Sequence, residues 1–448
     1  MVSKQFLSIT NRLLLSFTVC EPTGILLPRL FCRFTNLTSL DLTSYNGDLN
    51  RLLCQIYFPL KLTSLNLSNQ HTIPADGLRA FSKKTTTLTS LTCSIVESIN
   101  SYDLFLIAEC FPLLQELDLS NPLSCDGCYS SFFHGVETLS LSLFKLLKVN
   151  LSSHEYINDQ SLFHLFRNCK LLEEANVSNC NRITKTGIGK MSVQHSNSLE
   201  DFVVRPRLKS LNFCQSLWLR DESIIMFATI FPNLHMLDLR YCYNISKEGI
   251  YQVLKRCKKI RDLNLTSSRA NLHGMNFEVP KLEVLNLSDT NVDDETLHLT
   301  SKNCRGLSRV LLNDCHNITE KGVKHVVENC TQLREISLRG CDNVHTNIVA
   351  TMVFSRPSLR KIIAPPSHRL SSKVKKHALR QGCVIRKYVW VARLNMFFTV
   401  INISTFRLSS SKIYVYHSKY VYHTTFGIYF KSTYEYHSKF WMKFCMNI

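Results

Sequence analysis

One apolar signature, Leu-x-x-Leu-x-Leu, recurs thirteen times along the 448 residues of this chain and constrains its fold more than any other feature. Nine of the twelve steps between successive copies are 25 or 26 residues long. One copy cannot bury its own apolar face, so the copies must stack on one another to form a continuous core. The copies begin at Leu37, Leu62, Leu88, Leu114, Leu146, Leu172, Leu208, Leu234, Ile260, Leu282, Leu307, Leu333 and Leu359.

This period and this pattern are typical of a leucine-rich repeat solenoid. Apolar residues at every second position, as in Leu117-Asp118-Leu119, predict one short strand in each copy. We therefore predict an α/β solenoid, a horseshoe of about 13 repeats with parallel strands on its concave face. The two longest steps predict loops near Cys125–His134 and Ser192–Val204, because extra residues must leave a stacked array.

The repeats set the domain boundaries. We predict the array over residues 34–366, an N-terminal cap at 13–33 and a basic C-terminal cap at 367–387. Residues 388–448 carry no repeat and hold 17 of the 45 aromatic residues of the chain. We interpret this last segment as a non-homologous tail, either disordered or an artefact of the gene model.

The net charge of +19 is concentrated near the C-terminus. Ten Lys or Arg and no acid lie between Arg356 and Lys387, and seven bases and one acid follow from Tyr388 onward. The array itself is therefore nearly neutral, and we interpret the excess as a solvated cap, not as a nucleic-acid site. No signal peptide and no apolar run of about 18 residues is visible, so we predict no membrane contact and a cytoplasmic or nuclear location.

The eighteen cysteines follow the repeat. Cys180, Cys242, Cys315 and Cys341 each lie three residues after the last apolar residue of a strand. A thiol is small and readily buried, so we predict packing residues, with no disulfide and no zinc site. Phosphate loops, HExxH and Gly-x-Ser-x-Gly motifs are missing from the sequence. We predict a protein without enzymatic activity, cofactor or metal.

Two copies carry a longer shared motif, Cys242-Tyr-Asn-Ile-Ser-Lys-Glu-Gly249 and Cys315-His-Asn-Ile-Thr-Glu-Lys-Gly322. Ser246 and Thr319 lie where an N-cap would begin the helix of the repeat. This motif resembles the cysteine-containing leucine-rich repeat of F-box proteins and of the related mitotic-exit antagonist proteins. The resemblance covers about three quarters of the chain.

Residues 1–12 resemble the C-terminal end of an F-box, with Val2, Phe6 and Leu7 as the remaining apolar contacts for an adaptor. The resemblance implies a substrate-recognition subunit of an SCF-type E3 ubiquitin ligase, with a Skp-type adaptor and a cullin as partners. Docking of the adaptor is expected to be impaired, because a helix this short is marginal alone. The alternatives are a repeat adaptor without a ubiquitin role and a sensor of a hormone or inositol phosphate.

The repeat period also predicts which side chains line the concave face, because side chains alternate along a strand. Bases in the last repeats depart from the usual Asn or Asp, and we place them in one inner column that favours an acidic or phosphorylated segment of an unknown substrate protein. The predicted basic residues are Arg240, Arg309, Arg339 and Lys361. The predicted acidic residues of the middle repeats are Glu116, Asp118 and Glu174.

Overall fold

A computed structural model describes most of the repeat array. The described residues are 14–19, 31–34, 36–56, 60–125, 129–183, 207–269, 272–345, 347–366, 370–386, 414–417 and 420–423. The chain divides into two units, Met1–Tyr388 and Val389–Ile448. The N-terminal residues Val2, Phe6 and Leu7 and the predicted loop at Ser192–Val204 lie outside the described residues.

Fifteen strands of the first unit form one parallel sheet in which sequential strands are neighbours. Each of the thirteen Leu-x-x-Leu-x-Leu copies supplies one of these strands, which confirms the predicted solenoid. The strands of the sheet are β1 Ser16–Thr18, β2 Ser39–Asp41, β3 Ser64–Asn66, β4 Ser90–Thr92, β6 Glu116–Asp118, β8 Lys148–Asn150, β9 Glu174–Asn176, β10 Ser210–Asn212, β11 Met236–Asp238, β12 Asp262–Asn264, β13 Val284–Asn286, β14 Arg309–Leu311, β15 Glu335–Ser337, β16 Lys361–Ile363 and β17 Val384–Arg386. Two short strands, β5 Ser98–Ile99 and β7 Ser124–Cys125, pair separately.

Helices connect most of these strands. The described helices are α1 Leu49–Cys54, α2 Ala75–Ser82, α3 Ser101–Cys110, α4 Tyr129–Ser142, α5 Asp159–Asn168, α6 Asp221–Ile230, α7 Lys247–Arg256, α8 Asp294–Asn303, α9 Glu320–Asn329, α10 Ile348–Ser355 and α11 Ser372–Arg380. The middle residue of nearly every strand is buried, as Leu237 is in β11, and joins one apolar core with the buried faces of the helices. The first and third residues of each strand lie on the opposite face, which we call the open face.

One strand on each side of the thirteen repeats extends the sheet. Residues 13–33 contribute β1, which pairs in register with β2. Residues 367–387 contribute α11 and β17, and β17 pairs with β16. The array therefore has one more strand at each end than the repeat signature predicts.

The longer step after Leu114 is not a loop, and that prediction is wrong for the part that the structure describes. Residues Tyr129–Ser142 form α4, which has 14 residues where α5, α6 and α7 have 10 each. The extra residues lengthen a helix on the outer side of the array, where a longer element does not disturb the register of the sheet.

The Ile-Ser/Thr-x-x-Gly motif of one repeat is hydrogen-bonded to the repeat before it. Thr319 is the N-cap of α9, as predicted, and its hydroxyl accepts the N–H of Lys321 at 3.2 Å. Asp294, the first residue of α8 in the preceding repeat, accepts the backbone N–H groups of Thr319 and Gly322 at 2.8 and 3.0 Å. A Cβ on Gly322 would come within 2.3 Å of that carboxylate, so only glycine fits there.

Asp221 and Ser246 repeat the arrangement at the start of α7, where Ser246 is the confirmed N-cap. Asp221 accepts the backbone N–H of Ser246 at 2.8 Å and its hydroxyl at 2.5 Å. A Cβ on Gly249 would likewise meet Asp221, at 2.4 Å. The motif therefore joins neighbouring coils and does not only begin a helix.

In the second unit, β18 Tyr414–His417 and β19 Tyr420–His423 form an antiparallel pair. No helix of the described residues is long and apolar enough to cross a membrane.

Candidate protein-binding face

The open face is organised in columns, because neighbouring strands pair without a shift in register. Residues at the first strand position line up from Ser39 to Val384, and residues at the third position line up from Asp41 to Arg386. A further column lies two residues beyond the strand ends, and it contains Arg240 and Arg339. Side chains that share a column are separated by about 4.8 Å for each strand.

The Asn and Asp residues of the third column build turns. From β2 to β13, the third residue of nearly every strand in the sheet is Asn or Asp. Its side-chain oxygen accepts the backbone N–H two residues later, as Asp118 does from Ser120 at 2.9 Å. The next residue has a left-handed backbone, with a φ of 54° at Asn121. The same turn recurs from strand to strand, so these side chains belong to the repeat and are not by themselves a binding site. The residues are Asp41, Asn66, Asp118, Asn150, Asn176, Asn212, Asp238, Asn264 and Asn286.

The cysteine position proves to be a hydrogen-bond donor position. The thiols donate to the carbonyl that follows the strand of the preceding repeat, with sulfur–oxygen distances of 2.8–3.2 Å. Gln70 and His154 occupy the same position and donate to Leu42 and Leu119 through nitrogen, at 2.8 and 2.6 Å. The thiols of the column are Cys180, Cys242, Cys315 and Cys341.

Burial keeps this column neutral. Burial raises the pKa of the Cys242 and Cys341 thiols to about 12, so neither is a nucleophilic thiolate near neutral pH. Burial lowers the pKa of His154 to about 4, although its bond to the Leu119 carbonyl opposes the shift. Because a carbonyl only accepts, Nε2 of His154 must carry a proton in that bond. His154 is therefore a structural residue.

The middle of the first column holds an acid–base–acid cluster. Lys148 lies between Glu116 and Glu174, with its Nζ at 3.4 and 3.3 Å from their carboxylates. Glu174, and then Glu116, raise the pKa of Lys148. Asp118 lies beside the cluster in the third column and accepts the Asn150 amide at 3.0 Å. The structure thus brings together the three predicted acids, and it adds a lysine that the sequence analysis missed.

The late bases do not share one column, so that prediction is wrong. Arg309 and Lys361 are in the first column with Glu335 between them. Glu335 is paired with Arg309 at 3.2 Å and with Lys361 at 2.5 Å. Arg240 and Arg339 lie beyond the strand ends, in the other column. The alternation of side chains predicted the correct face but does not distinguish positions four residues apart on that face.

Two of these bases, Arg240 and Arg339, form ion pairs with nearby acids. Arg240 contacts Asp238 through Nε and Nη2, with distances of 2.9–3.0 Å, and this carboxylate raises the pKa of Arg240. Arg339 Nη2 donates to Asp314 at 2.8 Å. Asp238 is only 4% exposed, so Arg240 stabilises a buried carboxylate and is the weaker candidate for a contact.

Two of the last four strands, β14 and β16, have an apolar residue in the third column, whereas β15 and β17 keep Ser337 and Arg386 there. Leu311 and Ile363 are half-buried on the open face, where earlier strands have Asn or Asp. Leu311 has no side chain to cap the turn, and the hydroxyl of Ser288 from the preceding repeat accepts the Asn313 N–H instead, at 3.1 Å. The first column also becomes apolar at Val384, which is 54% exposed.

In the part of the chain that the structure describes, no group of three or more His, Cys, Asp or Glu side chains could hold a metal ion. The described open face carries ion pairs, turn-forming amides and a few apolar side chains. Such a face can hold another macromolecule through many small contacts.

The fold and this face together define a leucine-rich repeat solenoid. No protein-family model matches the chain. It is 26% identical over 140 residues to the Antagonist of mitotic exit network protein 1 of Candida glabrata, which is 27% of this chain and 27% of that protein. It is 28% identical over 115 residues to the protein of the same name from Eremothecium gossypii, which is 24% of this chain and 29% of the other. The matches thus span less than a third of either relative.

Among solved structures, the chain is similar to one in the crystal structure of the yeast Rad7 and Elc1 complex. The TM-score is 0.53, the sequence identity is 17%, and the match covers 86% of this chain and 98% of the other. At this identity the likeness concerns the fold, and it agrees with the leucine-rich repeat solenoid described above.

Proposed function

We propose that this chain is a substrate-recognition subunit of an SCF-type ubiquitin ligase. In this role the open face holds a target protein, while other subunits transfer ubiquitin. The observation that carries the proposal is the repeat unit itself, with its buried thiol donors and its Ile-Ser/Thr-x-x-Gly closure, which resembles the repeat of F-box proteins. The similarity to a chain of the Rad7 and Elc1 complex supports the proposal, because a chain of similar fold occurs there in a protein complex.

The residues proposed to contact the target are on the open face. Two clusters of mixed charge, one around Lys148 and one around Glu335, offer complementary contacts to a partner. Neither cluster is arranged for proton transfer or nucleophilic attack. The proposed contact residues are Glu116, Asp118, Glu174, Arg240, Arg309, Arg339 and Lys361. The proposed adaptor contacts are Val2, Phe6 and Leu7, with a cullin recruited through that adaptor.

The adaptor contact is tested by affinity capture of a purified Skp adaptor. We expect weak capture by this chain and strong capture by a fusion in which a complete F-box precedes Met1, because a short helix is marginal without its partners. Replacing Val2, Phe6 and Leu7 together by Ser should abolish the weak capture. Leu15→Ser is the matched control, because Leu15 is an exposed apolar residue near the N-terminus that is not among the proposed adaptor contacts.

Two results would contradict the proposal. Equal capture by this chain and by the fusion would contradict the expected weak docking through residues 1–12. No capture by either protein would favour the alternative, a repeat adaptor that binds a partner without a role in ubiquitin transfer.

A further inference from the structure

We propose that the last five strands of the sheet, β13–β17, bind an acidic protein segment that also carries apolar side chains. The inference rests on the proposed function, because it names the chemistry of the segment that the open face would recognise. We call this region the C-terminal patch. It consists of Val284, Leu311, Ile363 and Val384 on the open face, with Arg309, Arg334, Arg339, Arg360, Lys361 and Arg386 around them.

The first observation is the change from polar to apolar side chains on the open face. Leu311 and Ile363 follow a long run of turn-forming Asn and Asp residues in the third column. Neither can accept the N–H that those residues accept, so the change does not serve the turn. With Val384 more than half exposed, the patch presents apolar area that a partner side chain could remove from water.

The second observation is an excess of positive charge in the same place. Six bases of the patch stand against four acids of the same strands and turns, Glu283, Asp289, Asp314 and Glu335. Glu335 is shared by Arg309 and Lys361, so one carboxylate balances two cations. Arg334, Arg360 and Arg386 are exposed and form no ion pair with any described carboxylate. The patch therefore keeps a net positive charge after its own pairs are counted.

The charge and the apolar side chains of the C-terminal patch together indicate which ligand would bind there. The C-terminal tail of this chain has seven bases and one acid from Tyr388 onward, so the patch would repel it. A nucleic acid would satisfy the arginines but would make little use of the apolar side chains. An acidic segment with apolar residues satisfies both. Four strand steps span about 19 Å, which is the length of about six extended residues.

Fluorescence anisotropy with labelled probes tests the proposal on the intact chain. The main probe is a peptide of alternating Glu and Leu, eight residues long. The comparison probes are a Lys-for-Glu peptide, a Ser-for-Leu peptide and a single-stranded oligonucleotide of eight thymidines. We expect the Glu–Leu peptide to bind most tightly, the Ser version to bind weakly and the Lys version not to bind.

The variants separate the patch from the rest of the surface. Arg334→Glu with Arg360→Glu should weaken binding of the Glu–Leu peptide by about tenfold or more, because it reverses two exposed charges that stabilise no described acid. Leu311→Ser should weaken it by several-fold and leave the oligonucleotide unaffected. Lys321→Glu with Lys324→Glu makes the same change in charge on α9, on the outer surface, and should leave peptide binding unchanged. Thermal unfolding by circular dichroism verifies that each variant is folded.

Three outcomes would overturn the proposal: tightest binding of the oligonucleotide, equal binding of the Lys and Glu peptides, or equal losses in the α9 control and the patch variant. None of these depends on the adaptor. Peptide binding without capture of the adaptor would preserve the patch and refute the ubiquitin-ligase role, whereas adaptor capture without peptide binding would do the reverse.

Discussion

Protonation of His154 should destabilise the array as the pH falls, because the folded protein requires this imidazole to be neutral. His154 has no exposed surface, packs against Phe132 with ring centroids 5.6 Å apart, and donates to the Leu119 carbonyl. Burial lowers its pKa from 6.5 to about 4. The unfolded chain therefore binds a proton between these values while the folded chain does not.

The sign and size of the effect follow from this difference. The stabilisation is fully present above pH 6.5 and is lost as the pH falls towards 4. A pKa difference of this size corresponds to about 3 kcal/mol in full, of which about 2 kcal/mol is lost by pH 5. Asp103 works in the opposite direction, because burial raises its pKa to about 6. The parent protein alone would therefore show a smaller change.

The variant His154→Gln isolates the histidine. Gln70 occupies the equivalent position three repeats earlier in the sheet and donates to Leu42 at 2.8 Å, so the fold already accepts glutamine there. Urea unfolding of parent and variant at pH 7.5 and pH 5.0, at equal ionic strength, gives the comparison. We expect the parent to lose about 2 kcal/mol more than the variant. Equal losses in the two proteins would refute a neutral, buried His154.

Three further predictions address the array. Leu237→Asp should lower the free energy of unfolding by several kcal/mol, since it buries an unpaired charge, whereas Leu217→Asp at a site 55% exposed should have little effect in the same urea titration. Asp294→Ala should lower the melting temperature measured by circular dichroism more than Glu295→Ala does, because it leaves the Thr319 and Gly322 N–H groups without their acceptor. Thiol titration of the denatured protein without reductant should count close to all 18 cysteines, and a result several pairs short would contradict a reduced protein.

The strands could be predicted from the sequence because each repeat obeys the same rule. Leu117, Leu237 and their equivalents alternate with polar residues at a fixed period, and burial of one face decides the register. The repeat signature does not predict the strands β1 and β17, because they lie at the two ends of the sheet and need no complete signature. The length of helix α4 could not be predicted either, because extra residues on the outer side can lengthen a helix as readily as a loop.

The chemistry of the open face was only partly predictable. Alternation correctly places Glu116 and Arg309 on that face, but ion pairs depend on which strands become neighbours in register. Lys148 joins Glu116 to Glu174 only through that register, and Glu335 separates Arg309 from Lys361 in the same way. The role of His154 was accessible from the sequence, since it lies three residues after Leu151, as the cysteines do after their strands.

Departures from the repeat rule are more informative about binding than the rule itself. A side chain that every coil needs, such as the turn-forming Asn of the third column, explains its own presence through the fold. Leu311 and Ile363 give up that turn contact, and the neighbouring Ser288 has to replace it at Asn313. A half-buried apolar side chain on the open face that does not cap the turn needs another reason to be there, and a partner that covers it would supply one. Arg334 and Arg386, which form no ion pair with a described carboxylate, lie near this departure. This coincidence is why we propose target recognition at the end of the sheet and not at its regular, amide-lined beginning.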